Sequence, residues 1–381
     1  MKKLDINDYT LIATVGALLI TGLIILASVS TVYSQNMFGN PYHFLTRQIV
    51  FIIIGSLLGL IAYNIKLGLI KKWSFFILIA NLILLAAVFI PGLGFTAGGA
   101  TRWLQLGPFM VQPAEFLKLS FIIFFSAWIV KIIDSRSSKK RRGEKKNFSD
   151  FHPIIICLSL FIISAAILIF QPNISSLAVI FAVTLIIYFL SGTPIWHSVA
   201  IFAAGIAGLG LVIKIAPHIA NRIIVFLEPG YDPMGLGYQI KQASIAIGSG
   251  GLFGLGLGMS KQKLGFLPEV ISDSIFAVFA EETGFVGSII LVSLFVVFLW
   301  MGFKISKTSA DKFCSLAAAG ITSWITIQAF VNMGAMLGIL PLTGIAMPFI
   351  SYGGSHLVTE LVAVGLLLNI SKNRNNIIKT T

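Results

Sequence analysis

Long apolar runs constrain this chain more than any other feature of its sequence. An α-helix of about 20 apolar residues is long enough to cross the hydrocarbon core of a lipid bilayer, and ten runs of roughly that size occur here. The runs are continuous, whereas the strands of a membrane β-barrel alternate polar and apolar residues. The sequence therefore predicts ten spanning helices, at approximately Leu11–Val32, Gln48–Tyr63, Trp73–Ile90, Phe116–Ile132, Ile154–Phe170, Ser176–Leu190, Ser198–Ile215, Ser274–Gly302, Phe313–Leu340 and Ser355–Ile370.

The composition of the whole chain agrees with this prediction. Hydrophobic residues make up 57% of the 381 residues and charged residues 11%, and the mean hydropathy is +0.95. About 25% of the residues of a soluble domain are charged, so a soluble enzyme, a coiled coil and a disordered chain are excluded. We predict an all-α integral membrane protein with about ten transmembrane helices, which form a single polytopic membrane domain over residues 1–381.

The distribution of basic residues predicts the orientation of the helices. The chain carries 27 Lys and Arg against 14 Asp and Glu, for a net charge of +13. With the N-terminus in the cytoplasm, 19 basic residues fall in cytoplasmic segments and 6 in outside segments. Basic residues concentrate on the cytoplasmic side of membrane proteins, so both termini are assigned there and no nucleic acid is expected as a partner. The segment 133–152 is predicted as a basic cytoplasmic loop that contacts anionic lipid.

The longest segment without a spanning run lies between the seventh and eighth predicted helices, at residues 217–273. It is rich in glycine and partly apolar, which favours a segment that lies in the membrane interface or re-enters the membrane. Irregular backbone at that depth is tolerated only where it is buried in protein or faces a water-filled cavity. We therefore predict an extracytoplasmic, re-entrant active-site loop that is open to the outer leaflet.

The glycine-rich run Gly248–Gly258 within this loop invites comparison with nucleotide-binding loops. The third glycine of a G-x-G-x-x-G motif counted from Gly248 would fall at Phe253, and no G-x-x-x-x-G-K-[ST] motif occurs in the chain. The glycines instead predict tight turns or close packing of the backbone. The five histidines and two cysteines show no metal-ligand spacing, so no metal site is predicted from them.

Two sets of ionisable residues are open to more than one interpretation. Glu115 and Lys118 are three residues apart at the start of a predicted span, where they share a helix face and can form an ion pair. That pair is either structural or functional. Asp273 directly precedes the apolar run of the eighth helix, which suits an N-cap. The other interpretation is a carboxylate at the outer membrane surface that acts as a general base beside an anionic lipid head group.

Six motifs follow one another along the chain. They are G-A-T-R-W-L-x-L-G with Q-P-A-E-x-x-K-L at Gly99–Leu119, Q-P-N at Gln171–Asn173, F-L-E-P-x-x-D-P-x-G-x-G-Y-Q at Phe226–Gln239, I-A-I-G-S-G-G-L-F-G-x-G-L-G-x-S-K-Q-K-L at Ile245–Leu264, L-P-E-x-x-S-D-S-I-F-A-V-F-A-E-E at Leu267–Glu282, and L-P-L-T-G-I-A-M-P-F-I-S-Y-G-G-S at Leu340–Ser355. With these motifs in this order, the chain resembles the SEDS family (shape, elongation, division and sporulation). This family includes the FtsW and RodA proteins of bacterial cell-wall synthesis, and the motifs here are nearer to FtsW.

The resemblance implies a peptidoglycan glycosyltransferase that polymerises lipid II at the outer face of the bacterial cytoplasmic membrane, during division or elongation. The acceptor is the 4-hydroxyl of one sugar, and the donor is a MurNAc carbon attached to undecaprenyl pyrophosphate. The family's essential aspartate falls on Asp273, which supports its role as the general base. Cationic side chains help the pyrophosphate to depart, and the candidates for this contact are Arg102, Lys118, Lys261 and Lys263.

The remaining site residues that the resemblance implies divide into two groups. The further substrate-binding candidates are Glu269, Ser351 and Ser355. The supporting candidates are Glu115, Gln171, Glu281 and Glu282. The glutamates at 269, 281 and 282 are expected either to position the cations or to hold a divalent cation, Mg²⁺ or Mn²⁺; no other cofactor is expected.

Several positions depart from the family pattern. The family's H-T-D-F around the essential aspartate reads Ile271-Ser272-Asp273-Ser274 here. Asn173 stands where the family has an aspartate, so that an amide replaces a carboxylate. His356 and Glu360 stand where the family usually has small or apolar residues. Because Asp273 and the L-P-E motif before it are retained, an active enzyme is expected.

The resemblance also implies partners and leaves two other functions open. Family members act with a class B penicillin-binding protein, which is a transpeptidase, and with other membrane proteins of the divisome or elongasome. The alternatives are a lipid II flippase and a scaffold that only recruits and activates the transpeptidase. Polar groups near the bilayer midplane favour transport, whereas here the ionisable residues concentrate on the predicted outer side, which favours chemistry at the outer leaflet.

Overall fold

The structure is a computed structural model that describes residues 6–97, 99–107, 109–142, 152–215, 217–228, 230–232 and 234–374. This part of the chain forms twelve α-helices and a small β-sheet, which contacts α4 and α12. The helices are α1 (Ile6–Phe38), α2 (His43–Asn64), α3 (Leu67–Ala87), α4 (Pro113–Arg142), α5 (His152–Phe170), α6 (Ile174–Leu190), α7 (Ile195–Ile215), α8 (Pro217–Leu227), α9 (Leu236–Gly250), α10 (Ile275–Thr308), α11 (Lys312–Met336) and α12 (Gly354–Arg374).

The apolar length of the helices confirms the predicted spans. Eight helices are long and apolar enough to cross a membrane, namely α1, α2, α3, α4, α7, α10, α11 and α12. Two further helices, α5 and α6, contain shorter apolar stretches, at Leu158–Phe170 and Ile174–Leu190. Each of these ten helices coincides with one predicted run, so the chain is a multi-pass membrane protein. The helices α8 and α9 lie within the predicted loop 217–273 and are not among these candidate spans.

The spanning helices differ in how far the rest of the protein covers them. In the most apolar window of α11 and of α12, 78% of the residues are buried, and in that of α4 67% are buried, against 6% in α7. The helices α4, α11 and α12 therefore form the centre of the bundle, whereas α7 lies at its edge. Apolar side chains at such an edge can face lipid without cost, because the helix satisfies its own backbone.

Glycines bring α2 and α12 into direct backbone contact. A Cβ atom at Gly365 of α12 would lie 2.1 Å from the backbone oxygen of Gly59 in α2, and a Cβ atom at Gly59 would lie 2.7 Å from the oxygen of Leu361. Helices in lipid gain little from hydrophobic association, so small residues that allow close van der Waals packing stabilise their contacts. Glycine at both positions therefore allows the backbones of α2 and α12 to approach each other closely.

The glycine-rich run packs against a break in α10, which confirms the predicted close packing. Gly284 has φ 69° and ψ −164° inside α10, and a Cβ atom there would lie 2.3 Å from the backbone nitrogen of Gly254. Backbone hydrogen bonds join the two segments, one of them from Leu255 N to Glu281 O at 3.0 Å. Only glycine combines this positive φ with so close an approach.

A small antiparallel sheet lies between α3 and α4, and the all-α prediction did not include it. Its strands are β1 (Gly94–Ala97), β2 (Ala100–Leu106) and β3 (Phe109–Val111), in the order β1–β2–β3. Strands of this length give only a weak alternation signal in a sequence. The sheet leads into α4 and carries Arg102 on its central strand.

The two ends of the described chain meet. Ser371 Oγ of α12 donates a hydrogen bond to the carboxylate of Asp8 in α1. An even number of spans brings both ends to one side of a bundle, and this contact agrees with that arrangement.

The predicted basic loop 133–152 differs from the structure in its first part. Helix α4 continues to Arg142, so the segment begins as helix, because its run of Ser, Lys and Arg contains no proline or glycine before residue 143. Residues 143–151 lie outside the described residues.

We predict that Gly365→Ala destabilises the fold, whereas Gly16→Ala does not. A methyl group at 365 would collide with the backbone of Gly59, and overpacking of this kind costs about 1–3 kcal/mol. Nothing lies within 4 Å of a Cβ atom at Gly16 of α1, and alanine is the better helix former. Thermal unfolding of both variants in detergent measures the difference. Equal melting temperatures would contradict the close contact between α2 and α12.

Candidate active site

Asp273 lies on the loop that precedes α10, and hydrogen bonds to the backbone hold this loop in place. Asn332 Nδ2 of α11 donates to the carbonyl of Asp273 at 2.8 Å. Ser351 Oγ donates to the carbonyl of Ser272 at 2.6 Å. The amide of Tyr352 donates to the carbonyl of the residue before Ser272 at 2.9 Å. Three consecutive peptide groups are therefore fixed by residues that follow in the sequence.

The carboxylate of Asp273 does not cap α10. Ser274 occupies the N-cap position, and no side-chain cap hydrogen bond is formed there. The hydroxyl of Ser274 instead accepts a hydrogen bond from Gln239 Nε2 at 3.0 Å. The N-cap interpretation of Asp273 is therefore wrong, and its side chain is half-buried.

Arg222, on the short helix α8, borders the same space as this carboxylate. A Cβ atom at Gly344 would lie 3.4 Å from Asp273 Oδ2 and 3.5 Å from Arg222 Nη2. Gly344 has φ 67°, in the left-handed region that favours glycine, and a side chain there would enter the space between the two charges. Arg222 Nη1 also donates to the carbonyl of Leu342 at 3.1 Å, which anchors the guanidinium.

A second guanidinium, that of Arg102 on β2, adds positive charge to the site. Its Nε and Nη2 donate to the carbonyls of Gln171 and Pro172 at 3.2 and 2.6 Å. Burial and then the charge of Arg222 lower the pKa of Arg102, yet arginine stays protonated in proteins. The charges of both arginines act on Asp273, so two cations face one carboxylate.

Gln171 supports this arrangement from the end of α5. Its side-chain Nε2 donates to the carbonyl of Leu85 at 2.8 Å, while its own carbonyl accepts from Arg102. This geometry agrees with the supporting role that the sequence predicts for Gln171.

The surroundings raise the pKa of the Asp273 carboxyl from 3.8 to about 6. Burial is the largest cause and the charge of Glu269 is the next, and both disfavour the carboxylate form. The charges of Arg222 and Arg102 act in the opposite direction. A carboxyl group with a pKa near 6 is mostly deprotonated at neutral pH and is more basic than an ordinary aspartate, which suits a general base.

The site thus brings a carboxyl group of raised pKa near two guanidinium groups. Each guanidinium carries five N–H donors, and it binds phosphate oxygens in a bidentate manner. Donors that are fixed before the reaction stabilise the charge that develops on a leaving group. This arrangement can support transfer from a donor whose leaving group is a phosphate.

Lys263 lies in a buried ion pair that joins the loop to α1 and α10. Its Nζ lies 2.9 Å from Glu282 Oε1, and the two side chains are 7% and 0% exposed. The same Nζ donates to Ser28 Oγ at 2.9 Å and to Gly258 O at 2.7 Å. This lysine therefore has a structural role, and its predicted contact with substrate is not supported by its placement.

The neighbouring residues of this cluster also hold the loop. Glu281 accepts hydrogen bonds from Ser260 Oγ and, at 3.1 Å, from the backbone nitrogen of Lys261. The side chain of Lys261 is exposed. The supporting roles of Glu281 and Glu282 agree with this geometry, while a contact between Lys261 and the substrate stays a prediction.

Glu115 and Lys118 form an ion pair within the bundle, as their spacing predicts. Lys118 Nζ lies 2.7 Å from Glu115 Oε2 and donates to Gln328 Oε1 at 2.8 Å. Gln328 Nε2 in turn donates to the carbonyl of Ala346 at 3.0 Å, close in sequence to Gly344. Lys118 is buried and supports the site through Gln328, whereas its direct contact with the substrate stays a prediction.

Both serines of the last motif bind backbone groups. Ser351 Oγ accepts from Met347 N at 2.8 Å in addition to its bond with the Asp273 loop. Ser355 Oγ accepts from Gln112 N at 2.8 Å, directly before α4. These contacts place the serines around the site as supports, and their predicted contact with substrate remains to be tested.

The arrangement of the acidic side chains shows which of them are free to hold the predicted divalent cation. Among the described residues, no group of three or more His, Cys, Asp or Glu is arranged to hold a metal ion. Glu281 and Glu282 are engaged with Lys263 and the loop backbone, so they do not fit as free ligands. Glu269 is exposed, and its Oε2 accepts a hydrogen bond from Ser272 Oγ at 2.7 Å, so it is the one of the three predicted glutamates that stays accessible to such an ion.

Two residues at the site were not selected from the sequence. Arg222 was counted only as a basic residue of the long loop, and Asn332 only as part of a spanning helix. The available signal was polarity in apolar surroundings, because Arg222 lies within the apolar run of α8 and Asn332 within α11.

Comparison with known proteins covers nearly the whole chain. A family model described as a cell cycle protein, FTSW_RODA_SPOVE, matches residues 9–376. The chain belongs to this FtsW/RodA/SpoVE family. The resemblance to the SEDS family is thereby confirmed, and the six motifs lie within the matched range.

Relatives within the family match over most of their own length. Stage V sporulation protein E of Bacillus subtilis (strain 168) is 37% identical over 367 residues, which cover 96% of this chain and 97% of the relative. A protein named probable peptidoglycan glycosyltransferase FtsW, from Thioalkalivibrio sulfidiphilus (strain HL-EbGR7), is 36% identical over 375 residues, which cover 96% of this chain and 89% of the relative.

Solved structures show the same fold. One chain comes from a structure described as the structural coordination of polymerization and crosslinking by a peptidoglycan synthase complex; its TM-score is 0.76 at 24% identity, with 99% of this chain and 100% of that chain covered. RodA of Thermus thermophilus has a TM-score of 0.69 at 24% identity, with 97% of each chain covered. These matches confirm the fold of the family for this chain.

We predict that Lys263→Met destabilises the protein strongly, whereas Lys261→Met does not. Removal of Lys263 leaves Glu282 buried without its partner, and breaking a buried ion pair costs about 3–5 kcal/mol. The side chain of Lys261 is exposed, so its loss should not change the melting temperature. Thermal unfolding in detergent compares the two, and a Lys263→Met variant as stable as the wild type would contradict the structural role of the pair.

Proposed function

We propose that this chain is a peptidoglycan glycosyltransferase that polymerises lipid II into glycan strands at the outer face of the bacterial cytoplasmic membrane. The observation that carries the proposal is the Asp273 carboxyl, with a pKa of about 6, beside Arg222 and Arg102. Several relatives named probable peptidoglycan glycosyltransferase FtsW support the same reaction.

Asp273 acts as the general base of this reaction. The 4-hydroxyl of the acceptor sugar attacks the anomeric carbon of the donor MurNAc, and Asp273 takes the hydroxyl proton as the new C–O bond forms. The bond between that carbon and the pyrophosphate oxygen breaks. The undecaprenyl pyrophosphate then leaves with the electron pair of that bond.

The two arginines stabilise the pyrophosphate as it leaves. Arg102 and Arg222 are already anchored on backbone carbonyls, so little reorganisation is needed when negative charge develops. A pyrophosphate bound to them cancels part of their effect on Asp273 and raises the proton affinity of its carboxylate. The same binding event therefore strengthens the base.

Further groups are proposed around this core. Lys261 is exposed, unlike the buried Lys118 and Lys263, and is proposed to contact a lipid head group. A divalent cation held by the exposed carboxylate of Glu269 would neutralise pyrophosphate charge when bound, and it would leave Asp273 free to act as the base.

We propose that both termini lie in the cytoplasm. The distribution of basic residues supports this orientation, and the bond between Ser371 and Asp8 agrees with a common side for the two ends. The loop before the eighth span then faces outward, so that Asp273 lies at the outer leaflet.

A class B penicillin-binding protein is the proposed partner. The solved structure with the TM-score of 0.76 comes from a peptidoglycan synthase complex described for both polymerization and crosslinking. Crosslinking of the strands by a separate transpeptidase would complete the wall, and other membrane proteins of the divisome or elongasome are expected around the pair.

Polymerisation of labelled lipid II tests the proposed function. Purified chain, alone and with its cognate transpeptidase, should produce long glycan strands on gels. Asp273→Asn should lower the rate at least about 100-fold, the usual contribution of a general base. The matched control is Asp134→Asn, the same change at an exposed aspartate in the last part of α4, which should keep the wild-type rate.

The outcomes separate the alternatives. If no strands form with any partner or divalent ion, the glycosyltransferase proposal fails, and movement of lipid II across vesicle membranes becomes the assay for a flippase. If Asp273→Asn still binds the transpeptidase but makes no strands, a role as scaffold alone is contradicted.

The acid limb of the pH profile of polymerisation should move in one direction when a negative charge near Asp273 is removed, and in the other direction when a positive charge is removed. The base works in its deprotonated form, so kcat/KM should fall about tenfold per pH unit below the pKa near 6. Glu269→Gln removes a charge that raises this pKa and should shift the acid limb to lower pH. Arg222→Gln removes a charge that lowers it and should shift the limb to higher pH, in addition to any loss of rate. A limb that stays in place in both variants would show that another group titrates.

A further inference from the structure

A buried carboxyl group on α12 contacts the segment that supports the Asp273 loop. Glu360 is 0% exposed, and its Oε2 accepts a hydrogen bond from the backbone nitrogen of Phe349 at 2.9 Å. Its other oxygen, Oε1, has no hydrogen-bond partner among the described residues. The side chain therefore uses one oxygen as an acceptor for a single peptide group.

That peptide group belongs to a residue in a strained conformation. Phe349 has φ 63°, which is unfavourable for a residue with a large side chain, and its ring is 1% exposed. Such a conformation persists only where the surroundings hold it. The bond to Glu360 and the buried ring, which packs against Phe298, help to hold Phe349 in this conformation.

The strained residue lies inside the segment that binds the Asp273 loop. Two residues later, Ser351 accepts from Met347 N at 2.8 Å and donates to Ser272 O at 2.6 Å. The carbonyl of Ser351 lies 3.2 Å from His356 Nε2. His356 lies one turn before Glu360 on the same face of α12. A change in the path of residues 347–352 would therefore be transmitted to the peptide next to Asp273.

We propose that Glu360 is a positioning residue for the reaction: by accepting the amide hydrogen of Phe349, it fixes the segment 347–352 and, through Ser351, the direction of the Asp273 carboxylate. This inference rests on the proposed function, because that function makes Asp273 the base of the reaction. It does not require Glu360 to touch the substrate or to exchange a proton with it. What matters is the hydrogen-bond acceptor, and a neutral amide can supply one as well.

A pair of substitutions isolates the acceptor. Glu360→Gln keeps a carbonyl oxygen of the same reach and should leave kcat and KM within about twofold of the wild type. Glu360→Leu fills a similar volume but has no acceptor, and should lower kcat about tenfold or more with little change in KM, since a displaced base slows the chemical step and leaves binding intact. Loss of rate in both variants, or in neither, would overturn the proposal.

A matched control lies on the same helix. Asn369 is buried, and its Nδ2 donates to the carbonyls of Ala62 and Ile65 at 2.8 and 2.7 Å. Asn369→Leu therefore also removes a buried polar contact of α12, at a place remote from the Asp273 loop. It should leave kcat near the wild-type value even if it lowers the melting temperature. If loss of stability alone lowered kcat, both leucine variants would lose activity.

Hydrogen exchange of the full chain in detergent provides a readout without substrate. Glu360→Leu should speed exchange in the peptides that cover residues 347–352 and 269–274, whereas Glu360→Gln and Asn369→Leu should not. Unchanged exchange at 269–274 in Glu360→Leu would overturn the positioning role. If the wild type makes no strands, the proposed function fails, while exchange still decides whether Glu360 holds the loop of Asp273.

Discussion

Hydrogen bonds from helix side chains to irregular backbone are the interaction on which the candidate site depends. The loop before α10 and the segment after α11 lie against a helical bundle, where peptide groups without a partner are costly. Asn332 and Gln328 of α11 donate to these segments, and Ser351 joins one segment to the other. Because the same bonds fix the peptide of Asp273, satisfying the backbone and directing the carboxylate are a single structural requirement.

The elements that follow from local sequence were predictable, and those that depend on distant contacts were not. Ten spans follow from apolar runs alone, because a helix in lipid needs little besides length and hydrophobicity. Arg222 and Gly344 become neighbours of Asp273 only after the chain has folded, and no spacing in the sequence indicates this. The short strands around Arg102 were missed for a related reason, since their pairing decides them more than their residues do.

The roles of the lysines that were predicted to contact substrate could not be read from local sequence either. Composition and motif order identify Lys118 and Lys263 as charged groups at the predicted outer side, which is equally compatible with a ligand contact and with an ion pair. In the structure each lysine is buried and lies against one glutamate inside the protein. A charge in such a place is stable only when its partner is present, so these pairs fix the helices and the loop around the site.

The Asp273 site differs from these closed pairs in its balance of charge. With Asp273 deprotonated, Arg102 and Arg222 face the charges of Asp273 and Glu269, so the four groups are close to neutral. Burial nevertheless outweighs the attraction of the arginines, since the pKa of Asp273 is raised overall. A ligand that binds the arginines raises this pKa further, and by reciprocity a protonated Asp273 favours the bound anion. Proton uptake and retention of the pyrophosphate are therefore coupled, and departure of the pyrophosphate lowers the proton affinity again, which returns the carboxylate to its basic form for the next sugar.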